Sequence, residues 1–557
     1  MIWILLLACT RREPYLAPPD SAAGDTSGDT ETGEAVVDEA VTCADPSLRA
    51  SLGPFERIEL GGVHLQDVGL EPDMTLASGI AVGDMDEDGL LDLIVSAAAP
   101  TQLLLQQPDG SFVDETDSRW PEAAAAPGAM AAQVVDIDGD GHLDVFVCAG
   151  APLGAPPEPF TNQLYRGDGA GNLEQVTAAW GLADTEVSRP CFGASFGDYD
   201  GDGDLDMAPA NNEACPFDPE DDCEVLLDQE SAQVLWENTG DGFRDVSDML
   251  PKEAMLSSFM HVTTFLDVDG DGDTDLYITN DDKNEPSFSA HNFLLTSDGS
   301  GSLTLDEGGH GLDISIAGMG VGVADINDDA LPDLLISGTG RAALLQSIEG
   351  FGWADVATAR GLVFTEESRI EAWGTELADL DNDGDLDAPF VFGYLTGATS
   401  DDRIFKQPDA LFLGDGESFT QVAEDWSFDD TGIGRGMVVV DLDGDGWLDV
   451  LKRELGGTVL LYKARCGEAS WTQIDLEQGS PNPDAIGAVV AVKAGGVVRR
   501  RWVLGAGTSF ASNAAVGPHL GLGDATEIEE VVVTWPGGDQ TVYTDLPVNT
   551  PITLTRP

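Results

Sequence analysis

Basic residues are scarce in this chain: 25 Lys and Arg stand against 102 Asp and Glu in 557 residues, a formal net charge of −77. A phosphate backbone would be repelled from every face, which excludes nucleic acid as a partner. Histidine is rarer still. His64, His142, His261, His291, His310 and His519 are the full set, and none follows an HExxH-like spacing. Each is expected in a structural or surface role. No GxSxG elbow and no phosphate-cradling glycine loop stands in the right context, so the usual nucleophile and nucleotide signatures are missing. The acidity does not mean disorder, because an apolar content of 42% is ordinary for a globular protein.

What the chain has instead is one nine-residue stretch written seven times, most cleanly as Asp441-Leu442-Asp443-Gly444-Asp445-Gly446-Trp447-Leu448-Asp449. Carboxylates at positions 1, 3, 5 and 9, with glycine at 6 for a sharp turn, gather hard oxygen ligands at one point, which suits Ca2+. The candidate ligands are Asp84, Asp86, Asp88 and Asp92; Asp136, Asp138, Asp140 and Asp144; Asp198, Asp200, Asp202 and Asp206; and Asp267, Asp269, Asp271 and Asp275. They continue with Asp325, Asn327, Asp329 and Asp333; Asp379, Asp381, Asp383 and Asp387; and Asp441, Asp443, Asp445 and Asp449. The fifth copy replaces the glycine by Ala330 and sets Pro332 before its last ligand, so it is expected to be the weakest of about seven calcium sites. An EF-hand is excluded, because it needs Glu at position 12, where this chain has Val95, Val147, Pro209, Ile278, Ile336, Phe390 and Lys452. The seven windows hold 32 of the acidic residues, so the remaining 70 still outnumber the bases. A saline or calcium-rich exterior would screen such a surface.

The loops begin 52, 62, 69, 58, 54 and 62 residues apart. A period this long and loose fits a supersecondary unit of about four strands with variable connections, the propeller regime. Strand-like runs flank each copy, such as Ile80-Ala81-Val82-Gly83 before the first and Leu93-Ile94-Val95 after it, so the loop reads as a hairpin turn. A second hairpin follows 20 to 40 residues later, as in Val234-Leu235-Trp236-Glu237-Asn238-Thr239-Gly240-Asp241-Gly242-Phe243. Two hairpins per repeat make a four-stranded blade, and seven repeats make a ring. The pairing of these loops with a downstream turn-and-Phe strand resembles the FG-GAP/VCBS repeats of integrin-like propellers. That resemblance implies calcium held by side chains 1, 3, 5 and 9 and by the carbonyl at 7.

From about Trp471 the composition changes. Ala485-Ile486-Gly487-Ala488-Val489-Val490-Ala491-Val492, Gly507-Thr508-Ser509-Phe510-Ala511-Ser512-Asn513, His519-Leu520-Gly521-Leu522-Gly523 and Val531-Val532-Val533-Thr534-Trp535-Pro536-Gly537-Gly538 occur in that order. Together they resemble an ASPIC/UnbV domain, found after such propellers in cartilage acidic protein relatives. The expected fold class is therefore all-β: a seven-bladed calcium-binding β-propeller over residues 43–470, then a small β-rich domain over 471–557.

The start of the chain reads as an export signal. Met1-Ile2-Trp3-Ile4-Leu5-Leu6-Leu7-Ala8-Cys9 is too short to span a bilayer, and Leu6-Leu7-Ala8-Cys9 resembles a lipobox with Cys9 as the lipidated residue. A misplaced start codon truncating an ordinary signal is the other reading. Residues 10–42 are rich in Pro, Gly, Ser, Thr and acids, so they are expected to be an unstructured tether reaching roughly 30 Å. Six cysteines remain, and an even number in an exported chain favours disulfides. Cys215 with Cys223 closes a short acidic loop, Cys43 with Cys466 would clasp the ring, and Cys148 with Cys191 would join neighbouring repeats, free buried thiols being the alternative for that last pair.

Loop aspartates that hold a dication stay ionised and make poor acid catalysts, so no catalytic residue is assigned and no enzyme is expected. The function expected is binding: a monomeric cell-surface adhesion or protein-interaction module, exported as an outer-membrane or cell-surface lipoprotein or secreted. Its partner would be a protein or glycan ligand, with membrane contact only through the lipid. A lectin-like propeller is the alternative, with Trp180, Trp236, Trp353, Trp373, Trp426 and Trp447 as stacking platforms; blade packing is the plainer role for these rings. An enzyme acting on an extracellular substrate is the second alternative.

Overall fold

Alternation of buried and turn-forming segments yields seven four-stranded antiparallel blades, the first six of them simple meanders in sequence. The computed structural model describes residues 31–33, 35–38, 40–60, 79–96, 101–123, 129–149, 162–182, 191–211, 233–251, 260–280, 291–306, 310–348, 352–364, 370–393, 407–455 and 457–557. Blade one is Ile80–Gly83, Asp92–Val95, Gln102–Gln106 and Phe112–Asp114. Blades two to six repeat the pattern, opening on Ala129–Val135, Cys191–Gly197, Met260–Leu266, Gly318–Ala324 and Ala372–Thr375. Blade seven takes three strands from Gly434–Val440, Asp449–Glu454 and Val459–Ala464, and its outer strand, Phe55–Glu59, from the start of the chain. The ring is therefore closed by pairing its two ends. A Cys43–Cys466 disulfide, Cα atoms 5.6 Å apart, fastens the same junction.

First strands crowd the axis, and their composition follows from that. Ala129–Val135, Cys191–Gly197, Met260–Leu266 and Gly434–Val440 are buried at every position. In blade five a Cβ on Gly320 would lie 2.6 Å from the Trp373 carbonyl, and one on Gly322 would lie 2.8 Å from Leu377 N, so glycine is what lets blades five and six meet. Between blades two and three a second disulfide joins Cys148 to Cys191. The alternative of free thiols at these two positions does not hold.

The C-terminal region forms two further sheets. One has the order Glu31–Thr32, Gln540–Tyr543, Ile528–Thr534, Val489–Ala494 and Val497–Trp502; the other has Ala35–Val37, Thr550–Thr555, Ser470–Glu477 and His519–Gly523. Their shared core includes Ile474, Val490, Leu520, Val531, Val533, Trp535 and Ile552. The expected tether is corrected over part of its length: Glu31–Thr32 pairs parallel with Gln540–Tyr543 and Ala35–Val37 pairs antiparallel with Thr550–Thr555, so both are edge strands of these two sheets, while residues 10–30 lie outside the described residues. Cys9, Cys215, Cys223 and His64 lie outside the described residues. Among the described residues no helix is long and apolar enough to cross a membrane.

One segment of the C-terminal module leaves its sheets and enters the propeller axis. Gly505–Ala506 pairs antiparallel with the first strand of blade three, and Asn513–Ala514 pairs parallel with that of blade one. Between them Phe510, fully buried, packs on Trp373 at 4.7 Å, Phe192 at 5.6 Å and His261 at 5.9 Å, residues of blades six, three and four. Thr508 O accepts from Val321 N of blade five at 3.3 Å. Asn513 accepts from Val134 N at 3.1 Å and donates to its carbonyl at 2.9 Å in blade two. The chain plugs its own central channel.

Candidate metal centre

Each nine-residue loop is the turn between the first and second strands of its blade. Four hydrogen bonds recur in all seven copies. The position-1 carboxylate accepts from the backbone N–H of position 6 at 2.6 to 3.1 Å. The position-5 carboxylate accepts from the N–H of position 7 at 2.9 to 3.2 Å. The position-9 carboxylate uses both oxygens: one accepts from the N–H of position 2 at 2.8 to 3.3 Å. The other accepts from an N–H of the third strand at 2.6 to 3.0 Å. Position 6 has φ between 86° and 99° in the six glycine copies, a left-handed turn that an L side chain resists, and Ala330 adopts φ 73° in the fifth.

This network folds the side chains inward. Asp84, Asp86 and Asp92 bring carboxylate oxygens within 4.8 Å of one another, as do Asp136, Asp138 and Asp144; Asp198, Asp200 and Asp206; and Asp379, Asp381 and Asp387. In the fourth loop the grouping is Asp267, Asp269 and Asp271. Positions 1, 3 and 9 thus converge in four of these five, while position 5 spends one oxygen on the turn. Three oxygens of the candidate ligands, Asp86 Oδ1, Asp379 Oδ1 and Asp381 Oδ1, are buried with no hydrogen-bond partner, as is Asp204 Oδ1 at position 7 of the third loop. Burial, with the neighbouring carboxylates adding to it, raises Asp136, Asp198 and Asp267 to about 6, Asp92, Asp379 and Asp441 to about 7, and Asp144 and Asp275 to about 8. Unpartnered anionic oxygens, packed together and partly desolvated, fit a hard dication.

The fifth loop differs in more than its missing glycine. Asn327 spends its amide N–H on Asp329 Oδ2 and the Ser347 carbonyl, both at 3.1 Å, and keeps a buried, unpartnered Oδ1, so position 3 presents a neutral oxygen in place of a carboxylate. Arg500 of the C-terminal module approaches Asp325 Oδ2 at 3.3 Å. Basic groups also reach the second and seventh loops: Arg166 Nε lies 2.6 Å from Asp138 Oδ2, and Lys463 pairs with Asp443. The sequence reading passed over these three bases. A signal existed for two, since Arg166 and Lys463 stand at the same register position of the third strand, one residue before the N–H that binds position 9.

The module sits on the loop face. His519 Nε2 is 3.2 Å from Gly446 O, Arg499 Nε donates to Gly384 O at 3.0 Å, and Gly523 N donates to Asn382 O at 2.8 Å. Between it and blades five to seven lies a cavity of about 180 Å³ lined in part by Glu376, Leu377, Val439, Arg501 and His519. Burial pushes Glu376 up to about 8 and His519 down to about 4. The other described histidines are engaged in contacts: His142 with Glu87, His261 with Phe192 and Trp373, His291 with the Asp313 carbonyl, and His310 with Asp306. Trp236, Trp373, Trp426 and Trp447 are buried; Trp180 packs on Phe243, and Trp353 donates to the Pro332 carbonyl.

Residues 84–147 and 267–336 match the family profile of the FG-GAP-like repeat, and residues 478–557 match that of ASPIC and UnbV. The chain is 24% identical over 489 residues to cartilage acidic protein 1 of Mus musculus, covering 83% of this chain and 70% of that protein. The Homo sapiens protein of the same name is also 24% identical, with 83% and 69% covered. Among solved structures, an Agrocybe aegerita lectin that recognises non-reducing terminal N-acetylglucosamine is similar with a TM-score of 0.39 and 16% identity, over 68% of this chain and 84% of that one. The chain is an FG-GAP-repeat β-propeller with an ASPIC/UnbV domain, related to cartilage acidic protein 1.

Proposed function

We propose that this chain is an exported, non-catalytic binding protein whose blade loops hold calcium as a structural cofactor and whose ligand is a protein or glycan at the cell surface. One observation carries the calcium reading: the same carboxylate cluster recurs blade after blade, with buried oxygens such as Asp379 Oδ1 and Asp381 Oδ1 left unpartnered. Bound calcium would supply the charge that lets these carboxylates ionise side by side. Positions 1, 3 and 5 would turn oxygens to it, while position 9 also ties the hairpin to the third strand. The two disulfides support an oxidising compartment outside the cytosol. A lipid anchor at Cys9 and a monomeric state complete the proposal.

Two features bear on where a ligand would be met. The axis is filled by Phe510 and its neighbours, so we assign recognition to outer surfaces rather than to the channel. Most of the tryptophans that could have stacked on sugars are packed into blades, so a glycan would be met elsewhere. The calcium reading is tested by thermal unfolding of the full chain after chelation and again in millimolar calcium. Ions that bind only the folded state each contribute about 2.7 kcal/mol at a hundredfold excess over Kd. Several sites should therefore raise Tm on the order of 10 °C or more. An unchanged melting curve would sink the structural-metal reading.

A further inference from the structure

The seven loops share a backbone and differ in the charge that faces them. In the second loop Arg166 lies against Asp138 at 2.6 Å and also pairs with Asp140. In the seventh Lys463 pairs with Asp443, and in the fifth Arg500 stands 3.3 Å from Asp325. Among the described residues no Lys or Arg lies within ion-pair distance of the candidate ligands of the third or fourth loops, whereas the positive charges of Arg49 and Arg501 act on Asp381 and Asp379 of the sixth, and Arg499 donates to its Gly384 carbonyl. In the first loop Arg119 reaches Asp86 only at 3.9 Å, and Asp86 Oδ1 stays unpartnered. At the third-strand position that carries Arg166 and Lys463, the third and fourth loops have Glu237 and Thr296.

We infer that Arg166, Arg500 and Lys463 are built-in counter-ions that make the second, fifth and seventh loops low-affinity calcium sites, leaving the third and fourth, which no base faces, as the tightest. The inference rests on the calcium reading above and divides the sites that it leaves nearly equal. A dication entering the second or seventh loop must displace the resident side chain or bind beside it. A single positive charge at about 5 Å opposes a dication by at least about tenfold in affinity, even at a water-like dielectric constant. The fifth loop carries a second obstacle, since Asn327 offers one neutral amide oxygen where the others offer a carboxylate. Arg500 belongs to the C-terminal module, so this loop serves as a socket for that module.

Calorimetric titration of the chelator-stripped full chain with calcium chloride separates the cases. The expected isotherm has a tight class of two ions and a weaker class. Arg166→Gln and Lys463→Gln should each move one ion into the tight class, by about tenfold or more in Kd, and the double variant should move two. Both side chains are partly exposed, at 46% and 38%, so the fold should survive, which circular dichroism checks. Arg341→Gln, which removes an ion pair to Asp355 away from the loops, should bind as the wild type. Seven equivalent sites in the wild type, or variants that titrate like it, would overturn the inference while leaving the calcium reading intact. A chain that binds no calcium would overturn both.

Discussion

At the scale of single residues, position 9 does two things with one carboxylate. Asp275 accepts from Val268 N at 3.0 Å and from Ser297 N at 2.8 Å, so it holds its own turn and ties that turn to the third strand. It does so while almost fully buried, and burial raises it to about 8; the same cause raises Asp136, Asp198 and Asp267 to about 6. A carboxyl raised in the folded state stabilises that state at acid pH, fully below its unfolded pKa near 3.8, and the contribution is lost as pH rises through the folded value. Without a cation, Tm should therefore fall between about pH 4 and pH 8. Calcium favours the ionised form and should remove most of that fall, whereas sodium chloride at equal ionic strength should not. A chelated sample whose Tm climbs steadily across the window would contradict this. The converging carboxylates were legible in the sequence because their spacing is local. The bases that pair with them come from a third strand or from another module, and a one-dimensional pattern shows no such proximity.

At the scale of elements, the plug is the least expected feature. The stretch Gly507 to Asn513 is visible in the sequence as a motif, yet nothing in its composition says that it leaves its own module. The reason lies in what it meets: its partners Val134, His261, Val321 and Trp373 belong to four different blades, each 130 or more residues distant. Phe510→Ala removes a buried ring from the contact of blades three, four and six, which should cost roughly 3–5 kcal/mol. Calorimetry should show the propeller and the C-terminal module destabilised together, with fluorescence from buried tryptophan shifted to the red. Loss confined to one transition would mean that the plug does not couple the two. The blade hairpins were legible because period-2 alternation and Gly-Asp turns are local signals. The edge strands at 31–32 and 35–37 were not, because an acidic, Gly- and Thr-rich context outweighs the three apolar residues Ala35, Val36 and Val37 until a neighbouring sheet edge is known.

At the scale of the whole molecule, three devices hold the ring of a chain whose net charge is −77. The N-terminal strand Phe55–Glu59 completes blade seven, the Cys43–Cys466 disulfide fastens that seam, and the C-terminal module caps the loop face while filling the axis. The seam and its clasp could be expected from two cysteines placed at either end of a counted set of repeats. The cap could not, since its docking depends on the Arg499 and Arg500 side chains meeting loops more than a hundred residues earlier. If the aspartate loops are cation clips, the most direct test is an anomalous difference map from crystals of the full chain grown in calcium, with data collected at long wavelength. Peaks are expected among positions 1, 3, 5 and 9 of the loops, strongest in the third and fourth. Loops whose carboxylates converge in that map around water alone would contradict the clip reading.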